Sequence, residues 1–165
     1  MTVEVAEQDS AAALLPVERG YINVVRIRTL LSWVPVLIGG VVLDQTVIES
    51  SAFQGALSIG LPILALITAV TAPPRIWKRL GYQLTPSLLQ VVRGWLFHTD
   101  TIVPFIRVQH IDVTRGPLDK MFGTATLVVH TAGTHNSIVT LPGLAPERAS
   151  EIRDLIRGQI RSDLE

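Results

Sequence analysis

The sequence predicts an α-helical transmembrane hairpin followed by a mainly-β domain that ends in an amphipathic helix. Three observations carry that expectation. Ser50 to Pro74 runs for 25 residues without a charge, more than enough at about 1.5 Å per residue to cross a hydrocarbon core of about 30 Å. Thr29 to Leu43 is a second uncharged run, extended past Asp44 by Gln45 to Ile48. After Arg79 the long apolar runs give way to short ones punctuated by glycine and proline, the pattern of strands and turns.

Composition agrees with lipid as part of the solvent. Charged residues are 17% of the 165, against about 25% for soluble globular chains. Apolar residues reach 48% and mean hydropathy is +0.41. Fourteen basic residues balance fourteen acidic ones, so a general electrostatic grip on nucleic acid is not expected. The absence of cysteine excludes disulfides, thiolate metal sites and a cysteine nucleophile. Glu4, Glu7, Asp9 and Glu18 make the first 28 residues too acidic, and their length too great, for a signal-peptide n-region.

The expected organisation is an N-terminal segment over 1–28, helices over 29–48 and 51–74, a link at 49–50, and a domain over 75–165. Asp44 fixes where the first helix sits. A carboxylate at the bilayer centre costs about 2.5–3.5 kcal/mol, so it is expected at the far interface; the alternative is a buried proton-relay group. Pro62 predicts a kink of a kind that membrane helices tolerate. Arg19, Arg26 and Arg28 precede the first helix and Arg75, Lys78 and Arg79 follow the second, while the link offers Asp44 and Glu49. By the positive-inside rule this predicts a multi-pass cell-membrane protein with both termini cytoplasmic. Trp33 and Trp77 fall near the inner interface, where an indole keeps its ring in the apolar zone and its N–H near water. Two buried helices of a soluble protein would need a larger partner core than the residues after Pro74 supply.

Strands are expected over Leu80 to Leu84, Leu88 to Leu96, Thr101 to Ile106, Val108 to Thr114, Thr124 to Thr131 and Ser137 to Leu141. Pro86, Gly94, Pro104, Gly116-Pro117, Gly123, Gly133 and Pro142-Gly143 mark breaks or edges. Pro146 opens a helix whose apolar stripe is Ala149, Ile152, Leu155, Ile156 and Ile160. Glu147, Arg148, Glu151, Arg153, Asp154 and Arg157 form its solvated side.

In order and spacing, several short segments resemble the second bacterial pleckstrin-homology-like group, the membrane-flanking domain, in its YdbS-like two-span form. They are Gly81-Tyr82-Gln83-Leu84-Thr85, Val92-Arg93-Gly94, Val103-Pro104 leading to Arg107-Val108-Gln109, Gly116-Pro117-Leu118, Phe122-Gly123 and Thr131-Ala132-Gly133. The resemblance implies a pleckstrin-homology-like fold of two bent antiparallel sheets with a C-terminal amphipathic helix. That fold has seven strands where six are visible, and Leu118 to Phe122 is a candidate for the seventh. It also implies a larger membrane protein with several related domains as a companion, and an association with envelope stress and resistance to membrane-active peptides; binding to another membrane protein of that kind or to the chain itself is the leading expectation.

Chemistry is sparse. His98, His110, His130 and His135 lack the carboxylate or cysteine neighbours of a metal site, and no phosphate loop or nucleophile elbow occurs. No catalytic residue, cofactor or metal is expected. Thr85-Pro86-Ser87, read as the loop joining the first two strands, lacks the basic residues that phosphoinositide-binding domains of this fold carry there. Arg75, Lys78 and Arg79, with Trp77, are the expected contacts to membrane lipids. Arg107 and Gln109, two apart on a strand, and more weakly Arg93, are the candidate binding residues. They suit an anionic headgroup or a partner, and equally pairing with Asp112 or free carbonyls. The leading expectation is a non-enzymatic interaction module; a small transporter or ion pathway using Asp44, and a membrane-bound enzyme, are the alternatives.

Overall fold

The computed structural model describes residues 14–46, 55–94, 98–132 and 138–162. They fall into two units, residues 22–76 and the combination of residues up to 21 with those from 77 onward. The expected link at 49–50, the break at Gly133 and His135 lie outside the described residues.

The first unit consists of two helices, α1 (Gly20–Thr46) and α2 (Ala56–Lys78). Their 27 and 23 residues correspond to about 40 and 35 Å. α1 starts at Gly20 rather than Thr29, because Arg26 and Arg28 mark the edge of the apolar zone and leave the helical backbone uninterrupted. Leu31, Ile38, Ile59 and Leu66 are exposed along the pair, as lipid-facing side chains would be. Ala65 and Ala69 are buried, and a β-carbon at Gly40 would collide with Leu61, so small residues set the close approach. α2 is helical through Pro62 and Pro73. Pro73 has no N–H for the Ala69 carbonyl, and Arg26 Nε donates to that oxygen at 3.4 Å.

The second unit has two antiparallel sheets. One has the order β1 (Leu15–Pro16), β2 (Gly81–Leu84), β3 (Leu88–Arg93), β4 (Thr99–Pro104); the other β5 (Val108–Thr114), β6 (Ala125–Thr131), β7 (Ile138–Leu144). A 3₁₀ turn, Phe105–Arg107, joins the sheets. A short helix, α3 (Pro117–Met121), lies between β5 and β6, and α4 (Pro146–Ser162) follows β7. Within Thr124 to Thr131, Ala125, Leu127 and Val129 are buried, as are Leu89, Val91, Val103 and Phe105 of the first half. This is the pleckstrin-homology-like arrangement, four strands plus three and a C-terminal helix.

The seventh strand is not at Leu118 to Phe122, the segment that the sequence offers for it. That segment lies largely in α3, which is opened by proline at its first position and held by Asp119, an acceptor for Gly116 N–H at 3.1 Å and Thr124 Oγ1 at 2.8 Å. The missing strand is β1, from before the helices: Leu15 pairs with Tyr82 and Pro16 with Gly81. Glu18 N–H then donates to the Gly143 carbonyl at 2.7 Å. Gly143, at φ 79°, sits where β7 bulges, and a β-carbon there would strike the Tyr21 ring. The domain expected over 75–165 therefore also takes in residues 14–21. Thr85-Pro86-Ser87 consequently joins β2 to β3, and the connection between β1 and β2 is the helical hairpin.

α4 buries Ala149, Ile152 and Ile156, whereas Leu155 is 48% exposed. Leu155 belongs to the predicted stripe but stands one position off the buried one, beside Leu84 and Pro86 at the rim. Arg148 donates to the Tyr82 hydroxyl at 3.4 Å and pairs with Glu151 at 3.0 Å, which holds its guanidinium more firmly protonated than usual. Ile152→Ala should lose about 2–5 kcal/mol through cavity formation, while Leu155→Ala should stay within about 0.5 kcal/mol of the parent. Denaturant unfolding of the detergent-solubilised chain would measure both; equal losses would refute this packing of α4.

Candidate functional site

Within the helical unit, the polar feature is Asp44. Its carboxylate accepts from Gly55 N–H at 3.0 Å, Ser58 N–H at 3.3 Å and the Ser58 hydroxyl at 2.6 Å. The first N–H groups of a helix have no intrahelical acceptor and carry partial positive charge. Asp44, at the last turn of α1, supplies that acceptor to α2 from another element. Its position near the turn is legible in the sequence; the cap is not, because it depends on the two helix ends meeting.

In the β unit, β4 is the outer strand of its sheet, and no strand pairs with its open side among the described residues. A polar groove of about 320 Å³ runs beside it, lined by Thr99, Asp100, Thr101, Arg107, Thr131 and Val139 among others. Arg107 and Gln109 are both exposed, but they do not share a strand face. Arg107 ends the 3₁₀ turn, and Gln109 falls where the register slips between Val108 and His110. A bulge alters the alternation on which the two-residue spacing relies. Ile106, beside Arg107, is 85% exposed.

Arg93 acts as a structural tie between β3 and β7, and so between the two sheets. Its Nη2 donates to the Thr140 carbonyl at 2.7 Å and its Nη1 to the Thr140 hydroxyl at 3.3 Å. Asp112, a candidate partner of Arg107, instead lies 2.9 Å from His110 and 3.7 Å from His130. Among the described residues no group of three His, Cys, Asp or Glu is arranged to hold a metal ion.

Arg75, Lys78 and Arg79 are exposed where α2 ends. Trp77 differs from the expectation of an indole N–H near water: Nε1 donates to the Val17 carbonyl at 2.9 Å. Beside it is a cleft of about 480 Å³ whose walls include Leu14, Trp77, Leu80 and Val92, with Lys78 and His98 among its polar lining. Sequence reasoning missed Leu14, Val92 and His98, which are far apart along the chain and come together through strand register.

Comparison with known proteins adds two findings. A family described as a bacterial PH domain matches residues 22–160. The chain is 37% identical over 92 residues to the UPF0699 transmembrane protein YdbS of Bacillus subtilis (strain 168), covering 56% of each. The chain thus spans about half the length of that curated relative. No solved structure matches.

If Asp44 acts as an acceptor for the α2 N-terminus, Asp44→Ala should cost about 0.5–2 kcal/mol and Asp44→Asn much less, since asparagine caps nearly as well. Thermal unfolding in detergent distinguishes them. Equal losses for the two variants would contradict the capping role.

Proposed function

Because the chain belongs to the bacterial PH domain family, we propose that it is a non-enzymatic, membrane-anchored interaction module that binds a second membrane protein. It is a membrane protein with two transmembrane helices, as its apolar helices and its transmembrane relative agree. The domain works at the cytoplasmic face, with both termini on that side. Supporting this orientation, Arg19, Arg26 and Arg28 flank one helix and Arg75, Lys78 and Arg79 the other, satisfying the positive-inside rule at the same side.

The observation that carries the reading is the open edge of β4 beside the Arg107 groove. Unpaired strand backbone accepts an added strand, and neighbouring pockets select its side chains. Arg107 supplies a planar cation for a carboxylate on the partner; Gln109 is a second, peripheral contact. The partner is a membrane protein bearing a related domain, or a second copy of this chain. Arg75, Lys78 and Arg79 hold the domain against anionic lipid, each contributing about 1 kcal/mol. Asp44 fits a cap better than a transport carboxylate, because its oxygens already accept three hydrogen bonds.

A photo-cross-linking residue at Ile106, in native membranes, should capture one such partner. An impermeant amine-reactive linker acting on the Ile106→Lys variant should capture it in inverted vesicles and not in intact cells. Arg107→Ala with Gln109→Ala should weaken capture by roughly 30-fold, the effect of losing about 2 kcal/mol at an interface anchor. Capture unchanged in a folded double variant would reject this contact surface, and capture from outside intact cells would reject the orientation.

A further inference from the structure

The cleft beside Trp77 is built on the outer face of the first sheet, the face away from the buried Leu89, Val91 and Val103. Pro16, Gly81 and Val92 are successive cross-strand neighbours there. Val92 is nevertheless only 7% exposed, since Trp77, Leu80 and Leu14 rise around it as apolar walls. Gly81 keeps the floor low: a β-carbon at that position would come within 3.0 Å of Leu14 Cβ. The Trp77 N–H is already directed to the Val17 carbonyl, so its ring presents a wall without a free donor.

The charged lining has one sign. Lys78 and Arg79 carry it, His98 adds an imidazole, and among the described residues no carboxylate lines the cleft. Asp100, next to Val92 in register, is engaged by Gln90 Nε2 at 2.8 Å. An apolar cleft with a cationic rim complements an anionic amphiphile better than it does an inorganic anion, which gains nothing from the walls, or a neutral lipid, which gains nothing from the rim. Chain position supplies the source. Lys78 ends α2 four residues after the uncharged run closes at Pro74, about 6 Å along a helix. An anionic leaflet surface is within reach of that distance.

We propose that this cleft binds a single anionic glycerophospholipid from the adjoining leaflet, its phosphate at Lys78, Arg79 and His98 and its glycerol and upper acyl carbons against Trp77, Leu80 and Val92. Such binding requires the membrane attachment of α2 and is independent of partner binding at β4. The bound lipid would act as a fixed part of the domain, seated in a cleft between β1 and the end of α2 rather than in the general annulus.

The full chain, purified in detergent and exchanged into mixed micelles, is assayed by native mass spectrometry with phosphatidylglycerol, phosphatidylcholine or inorganic phosphate as the probe. One phosphatidylglycerol should be retained per chain, with neither phosphatidylcholine nor phosphate retained or competing. Lys78→Gln with His98→Gln should reduce retention by roughly tenfold or more, and Lys78→Arg should preserve it. Both substituted side chains are exposed, so the melting temperature should be unchanged, which separates lost binding from lost folding. Equal retention of phosphatidylcholine, displacement by phosphate, or full retention in the double variant would each overturn the proposal. Partner capture through Ile106 in the same variant reports on the other reading alone, so the failure of either is recognisable.

Discussion

The antiparallel pairing of Leu15 and Pro16 with Tyr82 and Gly81 is the constraint on which the rest depends. These residues precede and follow the two apolar helices, yet they lie in one sheet. A sheet cannot be split across a bilayer, so the start of α1 and the end of α2 must be on the same side, and two crossings satisfy that requirement. The same pairing makes the two-residue β1 the outer strand at one end of the four-stranded sheet, with β4 the outer strand at the other.

The segment following β1 is held at further points: the Val17 carbonyl by Trp77, the Glu18 amide by Gly143, and Tyr21 against the Gly143 backbone. Two of these depend on a backbone feature, the bulge at Pro142-Gly143, which lets β7 continue to Leu144. Within the helical unit the polar groups follow an equivalent logic. Pro73 releases a carbonyl and Arg26 reaches it; the start of α2 leaves amides without acceptors and Asp44 reaches them. Each of these two charged side chains thereby answers a backbone group that has no partner within its own helix.

Local pattern accounts for much of the fold. The uncharged runs locate both helices, the change of period locates six strands, and Pro146 locates the start of α4. What local pattern cannot carry is long-range pairing. Leu15–Pro16 is too short to display a period, and its partner is more than sixty residues away, so nothing local marks it as a strand. Leu118 to Phe122 is a plausible strand until Gly116-Pro117 and Asp119 are seen to form a helix start. Leu155 satisfies helical spacing, but the width of the buried stripe is set by what α4 packs upon. The candidate binding residues suffer most from register: a bulge at Gln109 separates it from Arg107, and Arg93 is absorbed by Thr140 on a strand of the other sheet. The cleft lined by Leu14, Val92 and His98 is invisible in the sequence for the same reason, since three distant segments converge there only once pairing is known.

The pairing across the hairpin is open to a direct chemical measurement, because the chain contains no cysteine. Leu14 Cβ lies 3.0 Å from where a β-carbon on Gly81 would stand, near the separation of about 3.5–4.5 Å found across disulfides. Leu14→Cys with Gly81→Cys, expressed in membranes and treated with a mild oxidant, should form an intrachain disulfide in most molecules, while Leu14→Cys with Thr114→Cys should not. Free thiols persisting in the first pair, with the chain inserted and folded, would contradict the joining of the two hairpin flanks in one sheet.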